Sequence, residues 1–97
     1  MHTEYVAVRH VLTAPQIAAR TAPHIREDDF DFAGLAQHLD TFSGGEQVLV
    51  RIAEELWSAQ RHAGLWELVR RLDTGNFERV VEALRLARGV PRRMLTA

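Results

Sequence analysis

Ser43 and Glu46 stand three residues apart at the head of a long amphipathic stretch. A hydroxyl and a carboxylate at this spacing form a capping box, each closing one of the first backbone N–H groups of a helix. Other side chains could do chemistry. Five histidines are present, His2, His10, His24, His38 and His62. None stands at the i, i+4 spacing of a helical metal pair or in another compact ligand pattern. Asp28, Asp29 and Asp31, and also Glu54 and Glu55, are grouped as an acid and a base would be. No substrate-orienting pattern accompanies them, and helix capping and solvation account for them. Ser43 and Ser58 have no evident base, and no G-x-S-x-G elbow occurs. Cysteine is absent, and all twelve basic residues are arginine. That excludes disulfides, thiolate zinc sites, thiol nucleophiles and Schiff-base lysines. The expectation is a non-enzyme with no catalytic, cofactor-binding or metal residue.

Residues 42–47 read Phe-Ser-Gly-Gly-Glu-Gln. Together with the helix pattern after them, to about Ala59, they resemble the signature motif of ABC-type ATPases. There the serine and glycines touch the γ-phosphate of a nucleotide held by another subunit. The resemblance implies a Walker A lysine for the β- and γ-phosphates. This chain has no lysine, so a stand-alone ATPase is excluded and the capping-box reading is preferred. The paired glycines then imply a tight lead-in from Phe42 or a close helix approach. The run G-E-x-x-L-x-x-x-A-x-x-L-W, Gly45 to Trp57, is also similar to a helix of small proteins from high-GC actinobacteria and their phages. That similarity implies no activity.

The remaining pattern is helical. Val6, Val8 and Leu12 alternate as in a strand, and Tyr5, Val8 and Leu12 share a helical face, so residues 4–12 are open between the two. Thr13 and Pro15 suit the start of a short helix to about Arg20, which Pro23 would end. Asp31 reads as the N-cap of a helix carrying Phe32, Leu35, Ala36 and Leu39 on one face. After Ser43, Val48, Leu49, Ile52, Ala53, Leu56 and Trp57 form an apolar stripe to about Gln60. Arg51 and Glu55 stand at ion-pair spacing on its other side. A short helix should follow Gly64, burying Leu65, Leu68, Val69 and Leu72. Asp73-Thr74-Gly75-Asn76 reads as a turn. A last helix then presents Phe77, Val80, Val81, Leu84 and Ala87, with Gly89 as its stop.

These elements predict a mainly α fold, a compact bundle of four to five short helices, with a short N-terminal β-strand as the open alternative. Residues 1–90 form a single helical domain, and 91–97 a flexible C-terminal tail. At 97 residues one core can close. No apolar run is long enough to span a bilayer, and no secretory signal leads the chain, so a cytoplasmic protein is expected.

Two surfaces remain as function candidates. Trp57 and Trp66 flank a turn containing Arg61, and tryptophan and arginine are favoured at interface hot spots. With Arg70 and Leu86 they form the expected partner-binding set, for another protein or for a second copy as a homodimer. The alternative is a helix-turn-helix over residues 65–93 that binds nucleic acid through Arg79, Arg85, Arg88, Arg92 and Arg93. Glu78 and Glu82 lie on the same helix and would repel phosphate.

Overall fold

Residues 4–12 are helical, not extended. In the computed structural model, which describes residues 3–89, helix α1 spans Thr3–Leu12. Its buried side chains are Tyr5, Ala7, Val8, Val11 and Leu12. Those positions recur at three- and four-residue intervals, a helical period that a strand would break. α1 is wedged between two long helices, α4 (Gly44–Ser58) and α6 (Thr74–Arg88), and packs mainly on them. This sandwich explains why so many β-branched residues tolerate a helix here. Two buried faces outweigh a propensity deficit of a few tenths of a kcal/mol per residue. The residues read as a tail, 91–97, lie outside the described part of the chain, as do His2 and Val90.

The next segment differs from the sequence expectation. Thr13 starts no helix, because its hydroxyl donates back to the carbonyls of Arg9 and His10 and closes α1. The short helix is Ala18–Thr21 (α2), followed by one 3₁₀ turn, Ala22–His24, that holds Pro23 near its start. Thr21 is fully buried, and its hydroxyl donates to the Leu12 carbonyl at 2.6 Å. A buried polar group thereby pins α2 to the end of α1. Residues 25–30 form a tight reversal with a single bridge between Ile25 and Phe30. The exposed acidic run Glu27, Asp28 and Asp29 occupies its tip. The Tyr5 hydroxyl donates to the Arg26 carbonyl and ties this reversal to α1. Asp31 caps helix α3, Phe32–Ala36, by accepting from the Gly34 N–H at 2.9 Å. A second 3₁₀ turn, Leu39–Thr41, leads to α4.

The remaining helices are α5 (Leu65–Arg71) and α6. Asp73 accepts from the Asn76 N–H at 2.8 Å and caps α6. The segment read as a turn, residues 73–76, is therefore the cap and first turn of this helix. Two residues, Leu72 and Asp73, separate α5 from α6. One core runs through the molecule, from Tyr5, Val8 and Leu12 through Ile17, Leu35, Leu49 and Ile52 to Val80 and Ala83.

Candidate functional site: an apolar groove beside the fifth helix

Phe42, Ser43, Glu46 and Gln47 each have a structural partner. Phe42 is buried beneath the Arg20 guanidinium, which lies 4.2 Å from its ring centre. The Ser43 N–H donates to Glu46 Oε1 at 2.9 Å, and the Glu46 N–H donates to Ser43 Oγ at 3.2 Å, completing the capping box. Arg20 also pairs with Glu46 at 3.0 Å, and Gln47 Nε2 donates to the Phe42 carbonyl at 3.1 Å. The Ser43 N–H, followed by Arg20, holds the Glu46 carboxyl below its ordinary range. Gly45 is required by proximity, since a Cβ there would stand 2.8 Å from the Arg71 carbonyl oxygen. The glycines thus let the C-terminal end of α5 lie against the first turn of α4.

That contact fixes which side of α5 is covered. Glu67 turns toward α4 and accepts from Arg51 through both oxygens, at 3.3 and 2.6 Å. Arg51 therefore pairs across helices and not with Glu55, its partner by sequence spacing. Arg51, followed by the Gly64 N–H, lowers the Glu67 carboxyl. Glu55 Oε1 accepts the N–H groups of His62 and Ala63, both at 3.0 Å, and these two bonds lower its carboxyl. They hold the loop between α4 and α5 in place.

The opposite side of α5 faces outward. Leu65 is 82% exposed, Trp66 65% and Val69 65%, although the 3.6-residue pattern predicts Leu65 and Val69 on a buried face. Leu68 and Leu72 pack on the core as expected. Beside this face lies an open groove of about 480 Å³. Ile52, Leu56, Ala63, Leu65, Leu68, Val80 and Leu84 form its apolar walls, with Glu55 and Arg61 among them. Leu84, 43% exposed, is the fourth outward-facing large apolar side chain among the described residues.

The five side chains expected to bind a partner fall in three places. Arg61 lines the groove, and exposed Trp66 and Arg70 belong to α5. Trp57 is half-buried, edge-on to Phe30 and Tyr5 at 5.0 and 6.3 Å between ring centres. Leu86 is half-buried in a separate shallow cleft lined by Tyr5, Val6, Arg9, His10 and Thr13. Leu65, Val69 and Leu84 were missed as surface residues, because their spacing alone assigns them to a core.

Of the arginines expected to meet nucleic acid, Arg79 donates to the His10 carbonyl at 2.8 Å and braces α6 on α1. Arg85 and Arg88 are exposed. Arg92 and Arg93 lie outside the described residues. Burial, followed by the Arg79 charge, lowers the His10 imidazole.

Comparison with protein-family models, curated proteins and solved structures finds no match. Among the described residues, no three His, Cys, Asp or Glu side chains are placed to hold a metal ion together. No helix among them is long and apolar enough to cross a membrane.

Proposed function

We propose that the chain is a non-enzymatic, cytoplasmic helical domain that works by binding protein through the outer face of α5 and the groove beside it. The observation that carries this reading is the exposure of Leu65, Trp66 and Val69 together on a helix of seven residues. Scattered apolar side chains are ordinary at a surface, whereas a contiguous set beside a groove is characteristic of an interaction site. The short α5 presents this face from a fixed position, held by the Arg51–Glu67 pair and by contact with Gly45.

The nucleic-acid alternative has less support. Its arginine Arg79 is committed to α1, and exposed Glu78 adjoins it on α6.

The test uses the double variant Leu65→Ser/Val69→Ser, which alters two exposed positions and should fold as the parent does. Affinity capture from the native host and light scattering are run on both proteins. Loss in the variant of a partner or a second copy held by the parent supports the reading. Identical capture by both proteins, with a monomeric mass for both, overturns it.

A further inference from the structure

Charges of both signs surround the groove, and most of the carboxylates are engaged within the chain while three arginines form no ion pair, which narrows the class of partner. On the α4 side, the Glu55 carboxylate is engaged by His62 and Ala63, and Glu54 faces His62 at 3.8 Å. On α5, Glu67 is held by Arg51. On α6, half-buried Glu82 acts on His10, and Glu78 projects roughly 120° round the helix from Leu84. Asp73, between α5 and α6, is engaged as a helix cap. The arginines are differently placed. Arg61 lines the groove, Arg70 follows Val69 on α5, and Arg88 is one turn beyond Leu84 on α6. All three are exposed, and none forms an ion pair within 4.0 Å among the described residues.

The shape also selects an occupant. The described residues contain one isolated bridge and no strand edge on which an extended peptide could pair. A groove between helices, bounded by Leu56, Leu65 and Leu84, instead suits the apolar face of a helix with anchors at i, i+3 or i+4, and i+7. Its volume of about 480 Å³ lies within the range of roughly 300–1,000 Å³ typical of binding clefts. A symmetric pairing of two copies would place the same arginine rim on both sides, while Glu55, the carboxylate lining the groove, is already engaged by His62 and Ala63.

Resting on the protein-binding reading above, we infer that the groove beside α5 takes an acidic amphipathic helix of another protein, its leucine-like face in the groove and its carboxylates toward Arg61, Arg70 and Arg88.

The test is anisotropy of two fluorescein-labelled helical peptides added to the full chain. Both carry the same Leu face at i, i+4 and i+7. One has Glu on the flanking positions and the other Lys. The Glu peptide should bind, and the Lys peptide should bind about tenfold more weakly or worse, the gap narrowing as salt rises. The triple variant Arg61→Glu/Arg70→Glu/Arg88→Glu should reverse the order. Equal binding of both peptides overturns the acidic assignment and leaves the protein-binding reading intact. If neither peptide binds and light scattering shows a dimer or a concentration-dependent series, the occupant is a second copy and this inference fails. If neither binds and the chain stays monomeric, the acidic-helix inference again fails, and the Leu65→Ser/Val69→Ser capture separately decides the broader reading.

Discussion

Gly45 and Gly75 occupy the same position, the second residue of their helices, counted from the caps Ser43 and Asp73. Their replacement by alanine therefore changes intrinsic helix propensity by about the same amount, up to roughly 1 kcal/mol in favour of alanine. What differs is the surroundings. A Cβ on Gly75 would lie 3.7 Å from Asp73 Oδ1, an ordinary contact. A Cβ on Gly45 would lie 2.8 Å from the Arg71 carbonyl oxygen, and ordinary contact begins at 3.4 Å. The difference, 3.4 − 2.8 = 0.6 Å, must come from backbone, which cannot rotate aside as a side chain can. Overpacking of this kind costs about 1–3 kcal/mol. Gly45→Ala should thus be net destabilising by about 1 kcal/mol, and Gly75→Ala neutral or stabilising by up to about 1 kcal/mol. In a chain of this size, 1 kcal/mol moves the melting midpoint by about 4–8 °C. Urea unfolding followed by far-ultraviolet circular dichroism measures both variants, with an unchanged slope required for comparison. A Gly45→Ala protein as stable as Gly75→Ala would refute the close approach of α5 to α4.

Three further outcomes follow from the same contacts. Ser43→Ala removes half of the capping box and should cost about 1 kcal/mol in urea unfolding; no loss would mean that the box contributes nothing in solution. Thr21→Val keeps the shape but strips the buried bond to the Leu12 carbonyl, and should cost about 1–3 kcal/mol, with a gain in stability speaking against that bond. Acid should weaken the fold in two stages. The His10 imidazole is lowered from 6.5, so its contribution is complete above that value and fades as pH falls through the folded value. Glu46, Glu55 and Glu67 are each lowered from 4.5, so their contributions are present above 4.5 and are lost below it. A urea midpoint that rises as pH falls from about 7 to 5 would contradict the His10 direction, and one that rises as pH falls from about 5 to 3 would contradict the carboxylate direction.

The caps were the most legible part of the sequence. Asp31, Ser43 and Gly89 act where their residue types place them, because a cap is a local bond between near neighbours. The apolar stripe of α4 was legible for the same reason, since period alone defines it. Long-range choices were not. The helical state of residues 4–12 is set by the presence of α4 and α6 on both flanks. The outward face of α5 depends on which side meets α4, and that follows from Gly45 and the Arg51–Glu67 pair, separated by sixteen residues. Thr13 and Asp73 illustrate the remaining ambiguity. Each is a good cap or turn residue, and the carbonyl or N–H it reaches depends on the course of the chain around it. The groove became visible once these choices were combined, as no motif marks Leu65, Val69 or Leu84.

The pairing of α1 with α6 has a consequence for how the protein is made. The Arg79 bond to His10 joins residues 69 positions apart. At a ribosomal rate of about 5–20 residues per second, roughly 3 to 14 s separate the synthesis of the two partners. Until α6 emerges, Ala7, Val8, Val11 and Leu12 lack one of the walls that cover them. Of the described helices, α1 is thus made first and has its burial completed last, its side toward α6 waiting uncovered after α4 has already closed the other.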